Sequence, residues 1–143
     1  MFQRILLAVD SGPAGRPVVR LAGDLARLTG ARARVVHVAA SSATLAAVVP
    51  LEDDAEAKLV LDEAVTSLRD AGVEADGVVA RALTTQIAAA VSAAAEEWNA
   101  DLIVLSPHHR GALEALISPR VSDAVAHSTR AAVLLAPEDT AGH

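Results

Sequence analysis

The residues best equipped for chemistry sit in one stretch, VLSPHHRGALEALISPR, positions 104–120. There His108, His109 and Arg110 follow an apolar run with the composition of a buried strand. Imidazole serves as a base or a metal ligand, and guanidinium pairs with phosphate. A metal site needs further ligands, because adjacent side chains of one segment rarely both reach one ion, and Asp10 is the only clear addition. A catalytic base needs a nucleophile and an orienting group, and no Ser or Thr stands in such a constellation. No catalytic and no metal-ligating residue is therefore expected. Solvated loop histidines, or weak contacts to an anion, remain. His37 alternates within an apolar run and reads as a satisfied core or edge histidine. Asp10 follows the run QRILLAV and opens DSGPAG, a turn by composition.

Composition removes several function classes. The formal charge is −6, with a single lysine, Lys58, and eleven scattered arginines, which disfavours nucleic acid as a partner. The absence of cysteine removes disulfides, thiolate zinc sites and thiol nucleophiles, and is compatible with a cytoplasmic location. The apolar run Ile5 to Val9 is too short for a signal or an anchor. The alanine-rich stretch 86–95 is interrupted by Gln86 and Ser92 and flanked by charges, so no membrane association is expected.

The candidate groups need elements to position them. A first strand is expected at 3–9. The helix after it starts near Arg16, buries Val18, Leu21, Ala22 and Leu25, and stops at Gly30. A second strand follows at 32–38, then a loop, AASSATLAAVVP, with no clear period. A helix over 51–71 opens with Glu52, Asp53 and Asp54, which suit the positive end of its dipole. Its apolar face is Ala57, Leu61, Ala64, Val65 and Leu68, and Gly72 stops it. A weaker third strand covers 74–80. Thr84 or Thr85 can cap the next helix, whose face is Ile87, Ala90, Val91, Ala94 and Trp98. DLIVLS (101–106) is a fourth strand, Ser118-Pro119 starts a further helix, and AAVLLA (131–136) is a fifth strand. Apolar strands alternating with helices imply an α/β, Rossmann-like open parallel sheet with helices on both faces. One domain, 1–138, is expected, with a polar tail at 139–143.

In such sheets ligands bind beyond the carboxyl ends of the strands, where strand order reverses. The polar candidates at those ends are Asp10 after the first strand, the second strand's end near His37-Val38, and 106–110 after the fourth. If the first and fourth strands are neighbours, Asp10 faces the His-His-Arg segment across one crevice.

RILLAVDSG, ADLIVLSPHHRG and VSDAVAHSTRAAVLLAPE, in that order across nearly the whole chain, resemble the universal stress protein family. The resemblance implies five parallel strands in order 3-2-1-4-5 and a homodimer paired through the last strand, Ala131 to Ala136. Members of the family either bind ATP or do not. The binding group is similar to G-x-x-G-x9-G-[ST], starting at the end of the fourth strand. On this chain the glycine positions fall on Ser106, His109 and Pro119, and the hydroxyl position on Arg120. None matches. Glycine there lets the backbone approach phosphate, a β-carbon obstructs that approach, and Pro119 removes an amide donor. Asp10 stands where the family's first-strand aspartate contacts the nucleotide, and Val38 where a second-strand residue lines the base pocket. With Ser106, His109, Arg120 and Val121 they form the candidate nucleotide-binding set. A helix N-terminus near Ser118, with the basic groups around it, can still attract an anion.

The expectation is a non-enzymatic stress-response module without tight ATP binding and with no firm cofactor. The alternative is a regulator that takes ATP, AMP or a cyclic nucleotide on a modified phosphate loop. An enzyme acting on a phosphoanhydride is disfavoured, because the SGGxDS and HIGH motifs of the wider superfamily are missing.

Overall fold

Each aliphatic run becomes a strand and each 3.6-residue stripe a helix. The computed structural model describes residues 2–9, 15–43, 47–50, 54–83, 86–105 and 130–136. The elements follow in the order β1 (Arg4–Val9), α1 (Gly15–Thr29), β2 (Arg32–Ala43), β3 (Val48–Pro50), α2 (Asp54–Asp70), β4 (Ala75–Leu83), α3 (Ile87–Trp98), β5 (Leu102–Leu105) and β6 (Ala132–Leu135). Five of the strands are parallel, side by side as β4-β2-β1-β5-β6. Counting parallel strands along the chain, this is the order 3-2-1-4-5. The reversal point lies between β1 and β5, which pair from Ile5↔Leu102 to Leu7↔Val104.

One segment departs from expectation. The second strand does not end near His37-Val38; it runs on to Ala43, and Val48–Pro50 returns antiparallel to it as β3. The stretch expected as a loop is thus partly strand. Its backbone is drawn out by pairing, since β4 also runs past position 80 to Leu83 and stays in register with β2 as far as Ser41↔Leu83. Local periodicity carries no trace of a strand held in this way from the side.

Alternation sends successive side chains to opposite faces of the sheet. Ile5, Leu7, Val9, Val35, Leu102 and Val104 pack with α1 and α2 on one face. Leu6, Val36, Val38, Ile103 and Leu105 pack with α3 on the other. The expected stripe of α2, Ala57, Leu61, Ala64, Val65 and Leu68, is fully buried. In α1 and α3 the stripes are also the inner faces, with Ala26 and Ala95 added. Gly77 lets α2 approach β4 closely: a β-carbon there would lie 2.8 Å from Leu61 Cδ1 and 2.9 Å from Val65 Cγ2.

The three helices among the described residues end alike. Gly30 and Gly72 have φ of +73° and +86°, and Asn99 takes the same left-handed place at 56°. After each, the next amide reaches back: Ala31 to the Ala26 carbonyl at 3.1 Å, Val73 to Leu68 at 3.0 Å, Ala100 to Ala95 at 2.9 Å. That is the Schellman closure, which satisfies carbonyls the helix leaves open. At its other end α3 starts after Gln86, which makes no side-chain cap bond. Thr84, Thr85, Ser118-Pro119 and the tail at 139–143 lie outside the described residues.

Candidate functional site

The carboxyl rim of the sheet is where the strands part. On one edge β2 pairs with β4 from Ala33 to Ser41. On its other edge β2 pairs first with β1, ending at the rung Val9↔His37. Ser41 pairs with both Leu83 and Pro50, so β3 must lie on the β1 side, beyond the end of β1. Among the described residues, Val38, Ala39 and Ala40 have strand rungs to β4. From the rung at His37 to the rung at Ser41 is four rises of a strand, about 13 Å.

Val38 lies one residue past the Val9↔His37 rung, but its side chain is only 5% exposed and packs on the α3 face with Val36 and Ile87. What Val38 can offer a ligand is therefore chiefly its main chain. His37, beside it, is fully buried. Its Nδ1 lies 2.9 Å from the carbonyl oxygen of Val9. A carbonyl only accepts, so Nδ1 carries the proton and donates. The expectation of a satisfied core histidine holds.

Val9 and Leu105 end adjacent parts of the sheet on this same rim, since β1 and β5 are neighbours. The residues that follow them in sequence include Asp10, Ser106, His109 and Arg110. These four, with His108, Arg120 and Val121, lie outside the described residues. The adjacency of the two strands that lead to them is the part of the crevice that the structure supplies.

No other place among the described residues gathers comparable groups. No cluster of three or more His, Asp or Glu side chains is placed to hold a metal ion there. A pocket of about 390 Å³ lies at the opposite rim, between the end of α3 and the start of β6, lined by Glu96, Asn99 and Arg130 among small residues. Glu96 and Arg130 are exposed, and the negative end of a helix faces that space, which disfavours an anion. Among the described residues no helix is long and apolar enough to cross a membrane.

Comparison with known proteins agrees with the topology. A family model, the universal stress protein family, matches residues 1–137. No curated protein matches the chain. Among solved structures, the universal stress protein from Archaeoglobus fulgidus is 25% identical, with a TM-score of 0.72, covering 96% of this chain and 95% of that one. A structure of the universal stress protein from the same organism in complex with dAMP is 23% identical, with a TM-score of 0.71, and covers 94% and 98%. A universal stress protein family protein from Arabidopsis thaliana with AMP bound is 11% identical, with a TM-score of 0.67, and covers 97% and 94%.

Proposed function

The chain belongs to the universal stress protein family, and from that premise we propose that it is a non-enzymatic stress-response module without tight ATP binding. Its crevice keeps a base side and lacks the usual triphosphate loop. The observation that carries this is the adjacency of β1 and β5 at the point of strand reversal, with β2 on the other side of β1, so that the strands leading to Asp10, Val38 and Ser106 share one rim. Relatives of the same fold hold dAMP and AMP, ligands that ask little of a triphosphate cradle. An adenine nucleoside monophosphate is thus the best-suited ligand, with Asp10 and Val38 on its nucleoside and Ser106, His109, Arg120 and Val121 near its phosphate.

ATP is the poor fit. Each charge-assisted hydrogen bond to phosphate contributes roughly 1.5–3 kcal/mol, so losing two or three costs about 3–9 kcal/mol. That moves a micromolar site to millimolar or beyond. Titration calorimetry with AMP and with magnesium ATP tests this: AMP should bind at least as tightly as ATP. Low-micromolar ATP binding abolished by Arg120→Ala would overturn it in favour of a regulator whose arginine replaces the missing glycine loop.

The proposal includes a cytoplasmic homodimer paired through the last strand. In support, β6 pairs with β5 on one edge, has no strand on its other edge among the described residues, and leaves Leu135 45% exposed. Val133→Lys should convert the dimer to monomer in light scattering. A wild-type monomer at working concentration rules the dimer out.

A further inference from the structure

We infer that the outer face of α1 and α2 is a second self-association surface, on which α1 of one copy lies against α2 of another with opposite charges in register. This surface is separate from the last strand and does not depend on nucleotide binding.

The two helices cover the same face of the sheet and share one core cluster. Their outward sides differ in charge. On α1 the exposed charges are Arg16, Arg20 and Arg27 against Asp24. At about 100° per residue the three arginines fall within a stripe of about 40°. On α2 five exposed carboxylates stand against Lys58 and Arg69, and Glu56, Glu63 and Asp70 share a stripe as narrow. Some of these charges are engaged within the chain, in the pairs Arg27–Asp24, Lys58–Asp62 and Arg81–Asp54. Among the described residues Arg16, Arg20, Glu63 and Asp70 have no ion-pair partner. Leu28 and Leu59, 83% and 60% exposed, stand on the same two helices.

Symmetry decides which of these groups meet. Each helix joins one parallel strand to the next, so α1 and α2 run in the same direction. A half-turn about an axis along the helices, between α1 and α2, places α1 of each copy on α2 of the other. That rotation leaves every residue at its own height, so residues level with each other in one chain become contacts between two. One packing contact gives the level: a β-carbon at Gly23 would lie 3.3 Å from Leu68 Cδ2. Helical side chains lean toward the N-terminus, so Gly23 is level with the backbone a position or two before Leu68. Arg20 is then level with Glu63. Arg27 is level with Asp70, because each follows its predecessor by two helical turns. The arginine stripe of each copy thus meets the carboxylate stripe of the other, twice per dimer. The local Arg27–Asp24 pair is half exposed and gives way at little cost. The face is two helices wide and about 22 Å long, so contact buries on the order of 900 Å² in total, the size of a weak, transient complex.

Sedimentation equilibrium tests this in the Val133→Lys chain, which removes the last-strand contact. Salt of about 0.1 M screens the repulsion between two negative chains while contact pairs persist. That chain is expected to associate from monomer to dimer as its concentration approaches about 1 mM, the range of a weak interface. Arg20→Glu and Glu63→Arg, each added alone, should weaken the association at least tenfold, because like charges then face each other. An equimolar mixture of the two reversed chains should recover it to within about threefold, since each reversed residue then meets its opposite on the other chain. A pair formed inside one chain cannot be restored by mixing. A Val133→Lys chain that stays monomeric at about 1 mM overturns the inference. So does association untouched by either reversal, or a mixture no stronger than its components. If Val133→Lys does not fold, the same reversals are made in the otherwise wild-type chain and the step starts from the last-strand dimer. Failure of that dimer shows separately, as a wild-type chain with the same mass as Val133→Lys at low concentration, and leaves the test of the helical face intact.

Discussion

Among the described residues the two rims of the sheet are braced differently. At the amino rim, side chains cross-brace almost every strand. The Asp101 carboxylate accepts the amides of Gln3 at 2.8 Å and Arg4 at 3.1 Å, and Arg4 in turn donates to the Trp98 carbonyl at 2.9 Å. Arg34 clamps Asp76 through two bonds, 2.8 and 3.0 Å, and lies 4.9 Å above the Trp98 ring. Arg32 pairs with Glu74, and Arg69 donates to the Ala75 carbonyl. At the carboxyl rim the described residues supply the His37–Val9 bond and an ion pair between Arg81 and Asp54 at the head of α2. Among the described residues the contrast is a division of labour: side-chain bracing is concentrated at the amino rim, and the strand ends that lead to the candidate site lie at the other. Strands anchored at one end can keep a defined spacing at the other without being closed there.

The strongest way to break that comparison is to cut the amino-rim brace at Asp101. Asp101→Ala leaves the Gln3 and Arg4 amides without their acceptor, and this should cost about 1–3 kcal/mol of folding stability. Asp101→Asn keeps one acceptor oxygen and should cost roughly half as much on the same grounds. Urea denaturation followed by circular dichroism measures both. Nucleotide affinity should stay within about threefold of wild type as long as the chain is folded. A loss of affinity in step with stability would show that the rims are not independent, and the division of labour would fall.

These braces were not visible in the sequence, and the reason is physical. Arg34 and Asp76 meet only because β2 and β4 align them as one rung. Neither residue's local pattern announces the other, forty-two positions away. Asp101 is the same case, a charged residue before an apolar run until β5 is laid beside β1. What was legible is what depends on near neighbours: the aliphatic strands, the stripe of α2, and the stops at Gly30 and Gly72, where a left-handed turn favours glycine. Asn99 makes the same turn but was not read as a stop, since asparagine is at home in many loop settings. The strand order came with the family resemblance, not with periodicity. For the candidate site the sequence offers a place rather than contacts: the Val38 side chain is core, and β3 is three residues long and paired antiparallel to β2. His37 was read as a satisfied histidine, yet its acceptor, Val9, could be known only once β1 and β2 were in register.

The smallest effect sharpens the comparison through pH. The Asp76 carboxyl is held below the ordinary aspartate value, first by its hydrogen bonds from Arg34, against an opposing push from burial, and further by the charges of Arg34 and Arg69. A carboxyl with a lowered folded value releases its proton more readily in the folded chain than in the unfolded one. Its stabilisation is therefore fully present above the unfolded value, about 3.9, and is lost as pH falls through the folded value. The pair is partly solvated, with side-chain exposures of 27% for Arg34 and 56% for Asp76, so the whole contribution is about 0–1 kcal/mol. In urea titrations at neutral pH, Asp76→Asn should be less stable than wild type by that margin. The gap should narrow below about pH 4, where protonation takes the charge from wild type as the substitution has already done. AMP affinity at neutral pH should not change, because Asp76 sits on the braced rim. A gap that widens in acid would mean that Asp76 is not the group whose charge the arginine holds, and a change in affinity would carry its influence across the sheet to the carboxyl rim.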